Sequence, residues 1–358
     1  MNRREFLSVG AAAGIAAAAG CIATDARTRP AAEPSARPAR SQALMKLGCQ
    51  RFGAGSDAIL QFYARNGVQY IAANPDGPWT AENIRKARER ANAYGINIIA
   101  AHVSAGNVLV EQGEQRDKTI GQFCDTLRIG ADGGYSVLFY GLGIPCGVPS
   151  RTEPTPGRGN VAYSSWDLSK IAPDPSVAEP VSADAMWERI TFFLERVVPV
   201  AGKCKIKIAC HPPDPPLPPG FRGVGQVLAT IDGLKRFVSI ADSNYHGLHF
   251  CQGTLCEMLQ DPGKEIFDVI RWFGVRKKIF NVHFRNLRGR RDKFCETYPD
   301  EGDVDMLRAL RVYREVGYDG TIMPDHLPGH PDDPTQREGF AFAYGYIRAL
   351  IQAVAAEA

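Results

Sequence analysis

From residue 43 onward, short apolar runs alternate with helix-like stretches eight times, and this alternation constrains the chain more than any other feature. The runs are LMKLG (44–48), VQYIA (68–72), NIIAAH (97–102), YSVLFY (135–140), KIKIAC (205–210), GLHFC (247–251), IFNVH (279–283) and TIMP (321–324). Short, apolar and bounded by turn residues, they fit strands buried on both faces of a parallel sheet. The stretches between them begin with helix-start chemistry. Ser56, Thr80, Ser182 and Thr230 are suited to N-caps, Pro262 to a first helical position, and Asp303 and Thr335 to the starts of the last two helices. Eight such units predict a (β/α)8 barrel over residues 43–358. A doubly wound open sheet is the runner-up, but no glycine-rich phosphate loop follows the first strand.

Two connections stand out. Residues 141–181 are rich in Pro, Gly and Ser, and a connection of that length inside a barrel is expected to be a lid or binding loop. It follows a strand, so it belongs to the C-terminal face, where barrels keep their chemistry. The stretch KIACHPPDPPLPPG, residues 207–220, holds six prolines in fourteen residues. Proline fixes φ and removes a backbone donor, so this run stiffens the loop carrying His211 and projects Asp214 over the pocket.

The first 42 residues read differently. Arg3 and Arg4 precede a short apolar run ending near Ala19, which resembles a twin-arginine export signal over residues 1–21. Residues 22–42 read as a disordered linker. The expected location is therefore periplasmic or anchored at the cell envelope, with Cys21 as a lipidation site and the only expected route to membrane anchoring. This segment carries six arginines against three acidic residues, and the remainder is balanced at 36 basic and 36 acidic. No basic face is implied, and nucleic acid is excluded as an expected partner. Nine cysteines include no CxxC pair; export would permit disulfides, which spacing does not pair.

The chemistry-bearing residues gather at strand ends. His211, Cys251 and His283 end the fifth, sixth and seventh runs, and Asp325 follows the eighth. Adjacent strands thus each deliver one potential ligand to the same rim. Imidazole, thiolate and carboxylate together suit a first-row divalent ion of the Mn-to-Zn series rather than Mg or Ca. Taken singly, each residue has a bland alternative in packing or hydrogen bonding. His249 shares a strand face with Cys251 and is expected to line the barrel, His102 to reach the pocket from across it, and His246 and His330 to lie on the surface. Arg285 shares a face with His283 and is a candidate clamp for a substrate carboxylate, with a rim ion pair as the alternative. His326, beside Asp325, is a candidate acid/base group.

The elements KIACHPPDPPLP, GLHFCQGTL, FNVHFRN, DEGDVDM and TIMPDH, in this order, are similar to those of mannonate dehydratases, which are xylose isomerase-like barrels. The resemblance runs from about residue 43 to 355 and is strongest after 190. It implies dehydration of D-mannonate to 2-keto-3-deoxygluconate with Mn(II) or Fe(II) held by His211, Cys251, His283 and Asp325. It also implies His326 as the acid/base residue, and a small sugar acid as partner. Asp214 is added as a catalytic candidate, and Arg285, Asn286 and Arg151 as substrate contacts. An oligomer is compatible with this reading. Two departures stand out: residues 141–154 read GLGIPCGVPSRTEP where the family carries another segment, and Glu338 occupies the place of a family tyrosine. Tyr163, Glu153 and Arg151 are the loop's candidates for a replacement base. The alternatives are a metal-dependent sugar isomerase or epimerase on the same barrel, and a non-catalytic exported sugar-acid binder.

Overall fold

The eight apolar runs form a closed barrel of parallel strands. In chain order these are β1 (Lys46–Cys49), β2 (Tyr70–Ala72), β3 (Asn97–His102), β4 (Val137–Gly141), β7 (Lys207–His211), β8 (His246–Cys251), β9 (Ile279–His283) and β12 (Thr321–Met323). Pairing of Lys46 with Thr321 and of Leu47 with Ile322 joins the first strand to the last. The computed structural model describes residues 45–174 and 179–357. The export-signal, tether and lipidation readings concern residues 1–42 and lie outside the described residues.

Local chemistry explains most of the helix starts. The side chains of Ser56, Thr80, Ser182 and Thr230 accept hydrogen bonds from backbone N–H groups three residues on. They open α1 (Asp57–Arg65), α2 (Ala81–Asn92), α4 (Ala183–Cys204) and α5 (Ile231–Ile240). α3 (Gly113–Gly133) lacks such a cap and ends on left-handed Gly134, where a side chain would be strained. α6 (Gln252–Cys256) is a short turn directly after Cys251, and Pro262 opens α7 (Pro262–Val275). Two expected starts move. α8 (Met306–Glu315) is capped by Asp305, because Asp303 accepts from Gly289 N at 2.8 Å and is tied to a neighbouring turn. α9 (Arg337–Ala356) begins after Gln336 rather than Thr335, whose hydroxyl donates to Asp333 at 3.3 Å.

Part of the expected lid folds as sheet. β5 (Thr152–Pro156) and β6 (Ala162–Asp167) form a hairpin from the long loop. β10 (Leu287–Arg290) and β11 (Lys293–Glu296) form a second hairpin after β9, and β6 pairs with β11 antiparallel, Phe294 opposite Trp166. Both aromatics are buried, and each contributes roughly 1.5–3 kcal/mol by leaving water. This four-stranded cap fixes residues from two distant loops beside the barrel mouth. Among the described residues it was not visible as strand pattern, because TEPTP and KFCE show no apolar alternation.

Candidate active site

Four adjacent strands, β7, β8, β9 and β12, bring the donor residues together. Cys251 pairs directly with His283 across the sheet, and His283 with Met323, two residues before Asp325. Donor atoms of His211, Cys251 and His283 lie within 4.8 Å of one another. Asp325 Oδ2 lies 3.3 Å from His283 Nδ1 and 3.7 Å from Cys251 Sγ. His211 Nδ1 is 2.6 Å from the Pro212 carbonyl, so that nitrogen donates and Nε2 keeps its lone pair. His283 is buried, yet neither ring nitrogen makes a hydrogen bond among the described residues; Asp325 is near Nδ1 but not aligned with it. Unpartnered buried polar atoms are costly. Two of them, facing a thiol and a carboxylate, fit a coordinated cation, and a mixed N, S, O set fits a first-row divalent ion.

Electrostatics favour the binding forms of His211 and Asp325 and oppose that of Cys251. Burial, then His283, holds His211 down to about 4, so its imidazole is neutral. Burial likewise holds His102 down to about 4 and His249 well below its ordinary value. Burial opposes ionisation of Asp325, but His283, His326 and Arg285 outweigh it and hold its carboxyl well below the usual range. Burial pushes the Cys251 thiol up, against Arg285. A cation bound there would displace that proton. His249 lies below the cluster, its ring 3.9 Å from that of His283 and its Nε2 3.0 Å from Asn281 Nδ2.

Beside the cluster lies a buried charge network. Arg285 Nη2 contacts Asp214 Oδ2 at 2.8 Å, Thr254 Oγ1 at 2.8 Å and Glu257 Oε1 at 3.0 Å, while Nη1 donates to Glu296. Arg151, just before β5, meets Asp214 Oδ1 at 2.6 Å and also pairs with Glu296. Burial, then Asp214, pushes the Glu257 carboxyl well above its usual value, so it keeps its proton. Burial opposes charge on Asp214 and Glu296 too, but there Arg285 leads an opposing attraction, joined by Arg151, and both stay below the ordinary carboxylate value. Two guanidinium groups thus face two carboxylates.

This network places three of the expected site residues. Arg285 is fully buried and surrounded by its own acidic partners, the arrangement of the ion-pair alternative. Gly253 is required beside it, since a Cβ there would run into the guanidinium stem. Asp214 lines the cavity, as expected of the proline-rich loop, and is held there between two arginines. Asn286 is buried and ties the cap to the barrel, donating to the Pro299 and Val304 carbonyls at 2.9 and 3.0 Å; it does not face the cavity.

His326 occupies the edge of this network, half exposed to the cavity. Its Nδ1 lies 2.8 Å from Glu296 Oε1 and 2.5 Å from Arg285 Nη1. Protonated, that nitrogen donates to the carboxylate; bare, it accepts from the guanidinium. Both protonation states have a partner, which suits proton transfer. Burial and Arg285 press its pKa down, but Asp325 and Glu296 outweigh them and raise it. Nε2 remains for a bound molecule.

A cavity of about 610 Å³ brings His211, Asp214, Glu296, Asp325 and His326 together with Arg151, Arg51 and Gln336. A smaller one of about 250 Å³ reaches His283 and His102. A larger cavity, about 1360 Å³, is lined by the cap sheet and the start of α7 and contains none of the metal-donor candidates. Strand alternation excludes Tyr163 from the site: Ser164 lines the cavity while Tyr163 is buried against Glu301. Glu153 is exposed beside Lys170 and lines that larger cavity. Glu338 lines a separate cavity with Arg158 and His330. His246 is buried, with Nε2 3.0 Å from the Phe237 carbonyl, and not on the surface. Glu296, Glu257, Arg51 and Gln336 were not expected at the site. Glu296 follows Arg285 by only eleven residues, but the hairpin that turns it back was unrecognised.

A family model described as D-mannonate dehydratase (UxuA) matches residues 165–356. Mannonate dehydratase of Thermotoga neapolitana is 33% identical over 325 residues, covering 79% of this chain and 89% of that protein. For the Thermotoga maritima protein the match is 34% over 165 residues, so the chain spans under half, 44%, of that relative's length. The crystal structure of mannonate dehydratase from Streptococcus suis serotype 2 superposes with a TM-score of 0.74 at 22% identity, covering 87% of this chain and 95% of that one. A xylose isomerase domain protein from Planctomyces limnophilus shares the fold with a TM-score of 0.57 at 15% identity, covering 87% and 99%.

Proposed function

The chain belongs to the mannonate dehydratase family of hydro-lyases, and we propose that it dehydrates a sugar acid with a divalent transition metal, Mn(II) or Fe(II), held by His211, Cys251, His283 and Asp325. The observation that carries this reading is His283, buried with both nitrogens unpartnered and facing three further donors of matching chemistry. The metal, when bound, supplies Lewis acidity at the substrate's carboxylate end, which makes the adjacent carbon-bound proton easier to remove.

The protein's own groups do the rest. Elimination removes a carbon-bound proton next to the carboxylate and a β-hydroxyl, which leave together as water; the enol then becomes the 2-keto-3-deoxy acid. His326 Nε2 is the atom placed to hand a proton to the departing hydroxyl. The wall of the 610 Å³ cavity carries no tyrosine among the described residues, and the carboxylates of Asp214 and Glu296 on it are held by arginines. Proton transfer therefore centres on His326, with Glu296 and Arg285 stabilising its two states. Arg151 and Arg285 fix the network that orients it.

The test is a sugar-acid screen with Mn(II) or Fe(II) supplied, reading 2-keto-3-deoxy products. Absence of product from every aldonate and aldarate, in protein shown to hold metal, refutes the reading. D-mannonate is expected to be a poor substrate because residues 141–154 depart from the family; a kcat of roughly 1–10³ s⁻¹ on it would overturn that. The twin-arginine reading predicts export: replacing Arg3 and Arg4 by Lys should retain the protein in the cytoplasm, and an intact residue 1–19 segment in protein from the native host would refute it.

A further inference from the structure

Arg51 differs from the other arginines of the cavity. It lies two residues beyond β1, is exposed, and donates from Nη2 to Gln336 Oε1 at 2.8 Å. Arg151 and Arg285 are each occupied by Asp214, Glu257 and Glu296. Among the described residues Arg51 forms no ion pair, and its guanidinium is hydrogen-bonded to a neutral amide.

Gln336 is held for this contact. Its Nε2 donates to the Leu327 carbonyl at 3.1 Å, which turns Oε1 toward the guanidinium. Its backbone sits at φ 59° immediately before α9, a left-handed conformation that a glutamine adopts only under local constraint. Both residues line the 610 Å³ cavity, and neither lines the smaller one that reaches His283. The same cavity wall carries His211 and Asp325, two of the four donors, so a molecule filling it can meet both groups.

Resting on the proposed reaction, which assigns the reacting carboxylate to the donor cluster, we propose that Arg51 and Gln336 form a subsite for a second anionic group at the far end of the substrate. Such a substrate carries a terminal carboxylate or phosphate in place of a terminal hydroxyl. A guanidinium with free donors recognises either anion in a forked geometry.

The experiment is calorimetric binding to the full-length protein loaded with Mn(II), in a His326→Asn background that suppresses turnover. The probes are D-mannonate, D-mannarate and D-mannonate 6-phosphate. At least one dianion is expected to bind about tenfold or more tightly than D-mannonate, and which one does so identifies the terminal group. Arg51→Gln should bring that ratio close to one. Gln336→Glu, which sets a carboxylate against Arg51 without removing any cation, should do the same if Arg51→Gln fails to fold. Equal affinities for all three probes, an unchanged ratio in both variants, or equal loss on mono- and dianions would each overturn the assignment. Because binding is the readout, the two ideas fail separately. Selective dianion binding without dehydration in the unsubstituted protein sinks the reaction alone, and dehydration without selectivity sinks the subsite alone.

Discussion

Two triads at the barrel mouth have the composition and spacing of metal sites: His211, Cys251 and His283, and Asp214, Glu296 and His326. In each, the potential ligand atoms fall within 4.8 Å of one another. They differ in what already fills them. Guanidinium groups of Arg151 and Arg285 lie among the second set, whose carboxylates are held by them and whose His326 Nδ1 meets Glu296 and Arg285. In the first set His211 is half-buried and only Cys251 meets a guanidinium, accepting from Arg285 Nη2 at 3.4 Å, while His283 is left with two unpartnered nitrogens. Donor spacing alone does not make a cation site; the deciding quantity is whether the local charge and hydrogen bonds are already satisfied.

The comparison can be broken most sharply at Cys251. Cys251→Ala should remove metal from the protein and lower turnover by about 10³ or more, the order expected when several kcal/mol of charge stabilisation is lost. Metal analysis of the purified variant checks it; full metal content would move the site elsewhere. His326→Asn, in the second triad, should keep the metal and lower kcat by at least about 10², the low end for a lost acid/base group. Should it lose metal instead, the triads are not functionally distinct.

A subtler separation comes from Arg285→Lys. An ammonium keeps the charge but cannot serve Asp214, Glu257, Glu296 and His326 together. One lost charged hydrogen bond, about 1.5–3 kcal/mol, corresponds to a 10- to 100-fold fall in kcat and a lower thermal midpoint, with metal content retained. Metal loss equal to the activity loss would merge the network with the ligand set. The smallest effect is expected at Tyr163→Phe, on the far face of the cap. Losing its bond to Glu301 should cost about 1 kcal/mol of stability, and kcat should be unaltered; a large kcat defect would restore Tyr163 as a catalytic candidate.

The barrel was legible because its signal is local and repeated. Eight short apolar runs with capping residues between them leave few other folds, and the period itself places His211, Cys251, His283 and Asp325 at strand ends. Their neighbours were harder. Arg285 and Asn286 look like ligand-binding residues in HFRN, but whether an arginine faces a substrate or an internal carboxylate depends on chain segments far away in sequence. Here Asp214 comes from the proline-rich loop, Glu257 from the turn after α6, and Glu296 from a hairpin of the cap. No local pattern announces that meeting.

Sequence by itself thus determined the barrel, the row of four donors and the presence of His326 beside them, since each follows from periodicity along one strand or between adjacent strands. Tertiary structure alone decided which charges were already neutralised. It buried Arg285, turned Tyr163 away from the cavity, folded part of the long loop into a sheet with β11, and left Arg51 paired with an amide. The physical reason is that side-chain periodicity is a property of a single element, whereas charge compensation in a low-dielectric site depends on every element that converges there.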